Sequence, residues 1–373
     1  MDLSLTDDQK MMREEARRLL AERASSERIR AAIAEGSHDT GLWATMSREL
    51  GWCGVGIAED FGGLGMGARD VALLAMEIGA RLAPVPFWSQ ACLATPLIAA
   101  LGSDAARATL LPRIAAGELT VAAAVPQPSH VAPFSRIDVE AKHDGGSFVL
   151  DGNLKAVFDL ASSDMVIVPA ILDGAPALFA VERGNFARTV VLQTIDPTRP
   201  VSSAVLEGTS ASMRIDRGDL SLADFDAPLR LAKLGLAAEQ VGAAQGCLDL
   251  TLDYVGTRVQ FGRTIASFQA IKHRCAELFV RLAEARSLLF GAAEALATNA
   301  PDATIEIEGA GVLAGEVLWR AAEEAVQLHG GVGNTWEYDP HLYLRRAQAT
   351  AHLFGSAEDR LAAVHSALSG LAA

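Results

Sequence analysis

The fold is decided by the stretch Tyr254 to Leu282, YVGTRVQFGRTIASFQAIKHRCAELFVRL. Its second half carries Ile271, Cys275, Leu278, Phe279 and Leu282 at helical spacing, interleaved with Lys272, Glu277 and Arg281 and followed by Glu284. That pattern predicts a long amphipathic helix with one buried and one wet face. The first half breaks the period. Arg258, Gln260, Phe261 and Gly262 fall where a helix is interrupted, so a fixed cation, a ring and exposed backbone N–H groups could meet a phosphate-bearing ligand. Read alone, the same turn is also an ordinary mixture of surface and core, and both readings stay open.

Working outward, the helical period predicts helices over Leu231 to Val255, Ile265 to Thr298, Ile305 to Gln327 and His341 to Phe354. The first segment, to about Glu118, is also helical. Leu5-Thr6-Asp7-Asp8 offers a capping start before Met11, Ala16, Leu19 and Leu20, which recur on one face. Further helices cover Thr40 to Leu50, Val71 to Ala80 and Ala91 to Leu101, with Pro84 and Pro86 as a break. The glycines between Glu59 and Gly65 read as a loop rather than a phosphate cradle, because no strand precedes them. From Leu119 to about Leu222 the period changes. VAAAVPQP, SRIDVEAK, SFVLDG, DMVIVPAIL, ALFAVERG, TVVLQTI, AVLEGT and SMRIDRG are strand-length runs bounded by turn residues, the pattern of a small all-β barrel or sandwich. The predicted fold class is therefore α+β. An N-terminal helical domain spans 1–118, a central small β-barrel domain 119–222 and a C-terminal helical bundle 223–373.

With 373 residues, the chain has material for two or three domains. A net charge of −14 speaks against a nucleic-acid surface and against general attraction to anionic membrane. Any acidic ligand must then be held by local donors. Cys53, Cys92, Cys247 and Cys275 are widely spaced and without a C-x-x-C pair, which reads as reduced core residues, and no metal site is expected. The N-terminus lacks a basic start with an apolar run, and no apolar segment reaches membrane-spanning length, so the expected location is cytoplasmic.

Three motifs in order then carry a resemblance over nearly the whole chain. R-x-Q-F-G-x-x-I-x-x-F-Q begins at Arg258, Q-L-H-G-G-V-G-N runs from Gln327 through His329, Gly330, Gly331 and Gly333, and LTDDQKMMREEARRLL, LGWCGVGIAEDFGGLGMG and MEIGARLAPVP mark the N-terminal region. Together they resemble the flavin-dependent acyl-CoA dehydrogenases, whose fold is a helical domain, a β-domain and a four-helix bundle. The resemblance implies FAD, an acyl-CoA substrate and electron-transferring flavoprotein as acceptor. In that family the flavin ring is held by the β-domain of one subunit. The adenosine pyrophosphate is contacted by the neighbour, through residues that correspond here to Arg258, Phe261, Phe268, Gln269, Gln327, Gly330 and Gly331.

The departures sort themselves. Where the family carries T-E-P-x-x-G-S-D around the flavin ring, this chain has Val125-Pro126-Gln127-Pro128-Ser129-His130-Val131. Where it carries K-x-W-I-T, this chain has Lys155-Ala156-Val157-Phe158-Asp159, and an ionised Asp can only accept where a hydroxyl would donate. The two usual positions of the catalytic Glu correspond to Phe354 and Ala232. Glu239 is the nearest carboxylate, two helical turns beyond Ala232, and is the candidate base or else a core Glu paired locally. For His329 the reading is a loop hydrogen bond. The retained set serves a neighbour's cofactor and the lost set serves the chain's own, so the resemblance points to one subunit of a dehydrogenase built from two unlike chains. A self-sufficient homo-oligomer using Glu239 and a cofactor-free scaffold are the alternatives. An Ala-rich, aromatic-poor helical core leaves room for a branched or polycyclic acyl group, and the two-chain resemblance associates with breakdown of bulky acids or a sterol side chain.

Overall fold

Thr6 starts the first helix as its sequence predicts. The Thr6 hydroxyl accepts from Gln9 N–H at 3.2 Å and the Gln9 side chain accepts from Thr6 N–H at 3.3 Å, closing a capping box. The computed structural model describes residues 5–125 and 136–371. In chain order the helices before the sheet are α1 Asp7–Arg23, α2 Ser26–Glu35, α3 Thr40–Ala44, α4 Ala68–Ala80, α5 Thr95–Leu101 and α6 Asp104–Ala115. The strands are β1 Val121–Ala123, β2 Val139–Asp144, β3 Ser147–Phe158, β4 Met165–Leu172, β5 Ala175–Glu182, β6 Arg188–Val191, β7 Val201–Ser210 and β8 Met213–Arg214. Then follow α7 Asp226–Thr257, a short ribbon of β9 Val259–Gln260 and β10 Arg263–Thr264, α8 Gln269–Ala297, α9 Ala303–His329, α10 Pro340–Thr350 and α11 Ala357–Leu371. The order helices, sheet, helices is the predicted α+β class.

By packing, the chain divides into two compact units, Met1–Ile29 with Ala72–Ala83 and Lys233–Ala373, and Arg30–Val71 with Pro84–Ala232. The second unit contains the sheet. Its strands pair in the order β6-β7-β3-β2-β4-β5-β8, with β1 parallel to β4, so among the described residues β6 and β8 end the path and the pairing does not close into a ring. Val139, Leu150, Leu154, Val166, Val168, Phe179 and Leu206 form its core, and nearly all of β4 is buried, which is why DMVIVPAIL lacks a clean alternation.

In the first unit α4 and α7 cross at backbone contact. A Cβ on Gly242 would lie 1.9 Å from the Met76 carbonyl oxygen, one on Gly246 1.9 Å from that of Ala80, and one on Gly79 2.2 Å from that of Glu239. Glycine is required here for proximity. Gly242→Ala forces the two backbones apart and is expected to lose about 1–3 kcal/mol or more, the range for overpacking a tight core. A melting temperature equal to wild type would rule out this crossing.

Three expectations are corrected. Phe279 does not share the buried face of α8, because it is 62 % exposed while Cys275, Leu278, Leu282, Ala285 and Leu289 are buried. It follows Leu278 by one residue, about 100° around the helix. Met11 is 61 % exposed and does not join Ala16 and Leu20. The last predicted helix ends early: α10 stops at Thr350, and Phe354 at φ +63° and Gly355 at φ +105° turn the chain into α11, capped by Ser356 and Asp359. All four cysteines are buried and unpaired with one another.

Candidate functional site

The R-V-Q-F-G-R-T stretch folds as a two-residue hairpin. Val259 faces Thr264, Gln260 faces Arg263, and the turn residues Phe261 and Gly262 both take positive φ, +53° and +77°, as a type I′ turn demands. Tyr254 accepts the Arg258 N–H at 2.9 Å, and Arg258 accepts the Ile265 N–H at 2.9 Å, which fixes the hairpin to the end of α7. The side chains of Arg258, Phe261, Arg263 and Gln269 are exposed, Phe261 by 91 %. The Arg263 guanidinium lies 3.9 Å above the Phe268 ring, and Phe261 meets Phe268 edge to face at 6.3 Å. Beneath them Val255, Cys275 and Leu328 form a small core with Tyr254, Ile265 and Ile271.

The second motif lies at the end of α9. Gly330 takes φ +64° and ψ −142°, a conformation for glycine, and starts a single 3₁₀ turn over Gly330–Asn334. A Cβ on Gly330 or Gly331 would meet nothing within 4 Å, whereas one on Gly333 would lie 2.9 Å from the Val326 carbonyl. The first two glycines expose backbone, and the third permits local packing. His329 makes a local hydrogen bond, but within the helix rather than in the loop, since it is the last residue of α9. It is buried, Nδ1 lies 2.7 Å from the Ala325 carbonyl and so carries the proton, and burial lowers its pKa. Its ring stacks on Tyr254 at 4.1 Å, and the Tyr254 hydroxyl donates to the His329 carbonyl at 3.4 Å. That stack joins the hairpin to the glycine loop. Sequence reasoning missed Tyr254 and Arg263 as site residues, although both stand in the quoted stretch, one turn before Arg258 and one residue after the turn.

These residues suit the adenosine pyrophosphate of FAD. Arg258 and Arg263 make no ion pair among the described residues, Gln269 and Gln327 present exposed amides, and the backbone of Gly330 and Gly331 is open to close approach.

The positions that the resemblance assigns to the flavin ring lie in the other unit, and their side chains do not suit a flavin. Of the stretch Val125 to Val131, residues 126–131 lie outside those described. Asp159 is buried at φ +55°, and its carboxylate accepts from the Ser89 hydroxyl at 2.6 Å. Beside it, the Arg199 guanidinium lies 5.1 Å from the Trp88 ring and 5.9 Å from Phe158, which meets Trp88 edge to face at 5.3 Å. A buried carboxylate in a packed cluster offers no donor to a flavin nitrogen. Of the base positions, Ala232 is buried with its carbonyl accepting from Trp88 Nε1 at 3.0 Å, Phe354 is half-buried, and neither side chain accepts a proton. Glu239 is buried on α7, its own carbonyl against Gly79. Among the described residues no group of His, Cys, Asp or Glu could hold a metal, and no helix is long and apolar enough to cross a membrane.

Family models match at both ends, the acyl-CoA dehydrogenase N-terminal domain over residues 6–118 and its C-terminal domain over 225–368. The chain belongs to the acyl-CoA dehydrogenase family. Members of this family are FAD-dependent oxidoreductases. Among its relatives, acyl-CoA dehydrogenase IpdE2 of Mycobacterium tuberculosis is 34 % identical over 357 residues, 95 % of each chain, and IpdE2 of Mycolicibacterium smegmatis is 32 % identical over 96 % of this chain and 97 % of its own. Of the solved structures, the ChsE4-ChsE5 complex from Mycobacterium tuberculosis superposes with a TM-score of 0.86 at 26 % identity over 99 % of both chains. A variant of the Tcur3481-Tcur3483 steroid ACAD gives 0.84 at 26 % identity over 98 % of this chain and 99 % of its own. Butyryl-CoA dehydrogenase from Megasphaera elsdenii, at 0.88 and 23 % identity over 99 % of this chain and 100 % of its own, shares the fold.

Proposed function

We propose that this chain is one subunit of a hetero-oligomeric, FAD-dependent acyl-CoA dehydrogenase, and that its hairpin and glycine loop complete the flavin site of an unlike partner. The observation that carries the reading is the contrast between two sets of residues. Arg258, Phe261, Gln269, Gln327, Gly330 and Gly331 are exposed, while Asp159, at a ring-holding position, is buried against Ser89. When bound, FAD takes the hydride that leaves the β-carbon of the thioester as a base removes the α-proton. In the proposed arrangement Arg258 balances pyrophosphate charge, Gln269 and Gln327 donate amide bonds, Phe261 and Phe268 pack the adenosine, and the base comes from the partner chain. The relatives support this by name: one solved neighbour is the ChsE4-ChsE5 complex, and another is a variant of the Tcur3481-Tcur3483 steroid ACAD. We accordingly assign a bulky, polycyclic acyl-CoA as substrate, electron-transferring flavoprotein as acceptor and the cytoplasm as location. The visible spectrum of the chain purified alone and then with its partner tests the reading.

A second reading rests on Glu239, a buried carboxylate two turns beyond a position where relatives place the base. If the partner supplies the base, Glu239→Gln in the assembled enzyme changes the rate by much less than the ~10²-fold loss expected on removing a general base. A loss of that size at an unchanged melting temperature would promote Glu239 to the base and favour a self-sufficient enzyme.

A further inference from the structure

Within the first unit a cleft of about 960 Å³ is walled by α1, the end of α4, the second half of α7 and the first turn of α10, with Arg286 of α8 reaching in. No residue of the hairpin or the glycine loop lines it. Its lining carries four arginines, Arg17, Arg18, Arg81 and Arg286, and four carboxylates, Glu77, Asp249, Asp253 and Asp339. At one end Arg17 Nε donates to both carboxylate oxygens of Glu77 at 2.9 Å, and Arg286 donates to the Gln245 amide oxygen at 2.7 Å, while the Gln245 amide nitrogen donates to Asp249 at 2.7 Å. At the other end stand Asp253 and Asp339, the latter accepting from the Ser26 hydroxyl at 2.7 Å. Eight residues of α7 separate Gln245 from Asp253, a helical rise of about 12 Å. Apolar Leu20, Ala24, Leu250 and Leu342 lie along the walls, and the Tyr343 hydroxyl donates to the Ala80 carbonyl at 2.8 Å. Arg18 and Arg81 also line the cleft, Arg18 paired with Glu15.

Around Arg286 the guanidiniums of Arg286, Arg17 and Arg13 stand against the carboxylates of Glu77 and Asp249, although Arg13 does not itself line the cleft. The buried Nε atoms of Arg286 and of Arg13, one turn before Arg17 on α1, have no hydrogen-bond partner among the described residues. Burial lowers the pKa of Arg286, and the like charges of Arg17 and Arg13 lower it further, against raising effects from Glu77 and Asp249. A guanidinium does not give up its proton at neutral pH, so the crowding is relieved by a counter-anion rather than by titration. Arginine forks match the planar, multidentate oxygens of carboxylate and phosphate.

We propose that this cleft binds a small organic ligand through a phosphate or carboxylate head placed between Arg17 and Arg286, with an apolar body along half-buried Leu250. Hydrogen-bond donors on the ligand's far end meet Asp253 and Asp339. The site is separate from the flavin-facing residues and stands whether or not the chain works with a partner.

The test uses the full chain in the assembly in which it purifies. Melting temperature and calorimetry are measured against inorganic phosphate and, separately, glutarate, each compared with chloride at equal ionic strength. Phosphate or glutarate is expected to raise the melting temperature beyond chloride with a saturable dependence, and the more effective of the two identifies the head group. Arg286→Gln is expected to weaken that binding about tenfold or more, as for a lost charge-assisted hydrogen bond, with Arg286→Lys intermediate. In chloride alone Arg286→Gln should be at least as stable as wild type, because like charges are thinned; a merely structural Arg286 predicts the opposite order. Two results overturn the proposal: neither anion acting beyond chloride, or Arg286→Gln keeping the full response. Should Arg286→Gln fail to fold, Arg286→Lys decides alone, since it keeps a charge on the cleft wall and loses the planar fork, and an undiminished response to both anions then overturns the proposal.

Discussion

Purified by itself, this chain should be colourless and should not dehydrogenate acyl-CoA thioesters with an artificial electron acceptor. Co-purified with its partner, the complex should carry flavin absorption and activity. Two independent features set the expectation. At a position that the resemblance assigns to the flavin ring, Asp159 accepts from Ser89 inside a cluster with Phe158, Trp88 and Arg199, so opening it would strand a buried carboxylate. At the positions to which the resemblance assigns the base, Phe354 and Ala232 have no side-chain atom to receive a proton, and absence of a general base by itself suppresses the rate about 10²- to 10⁴-fold. A yellow, active homo-oligomer made from this chain alone would defeat the two-chain reading. A complex that assembles with its partner but in which this chain's hairpin can be altered without any loss of flavin would leave only a scaffold role.

Arg258→Ala is expected to weaken FAD retention by the complex roughly ten- to a hundredfold, because a charge-assisted contact contributes about 1.5–3 kcal/mol. Lysine should rescue it only in part, since the planar fork is lost. The fold should not suffer. Arg258 is exposed, makes no ion pair among the described residues, and anchors the hairpin through its backbone N–H and carbonyl, which alanine keeps. If Arg258 instead held this chain together, the variant would lower the melting temperature of the isolated subunit and leave the flavin content of the complex untouched. Measuring both quantities on one variant separates the two, and unchanged FAD affinity in a well-folded complex would remove the main support for a shared flavin site. Arg263→Ala gives a useful contrast. Its guanidinium is already stacked on Phe268, so it tests whether the ring pair or the charge matters more.

Local periodicity determined much of this protein by itself. Thr6 with Gln9 encodes a helix start, Cys275, Leu278 and Leu282 encode the buried stripe of α8, and Phe-Gly between two short extended pairs encodes a tight turn. These features depend on residues a few positions apart, whose geometry the backbone dictates. The ordered motifs likewise carried the family. Tertiary structure decided what stands opposite each element. Ser89 reaches Asp159 across 70 residues, Tyr254 stacks on His329 across 75, and Gly242 meets Met76 backbone to backbone, none of which leaves a spacing signal. The same holds for errors of facing: Phe279 scored as apolar and helical, yet one residue's rotation carries it off the packed face, where only the arrangement of neighbouring helices determines whether a ring is covered. Sequence period sets which side chains point the same way, whereas burial, partner and charge balance are set by chain segments that only folding brings together.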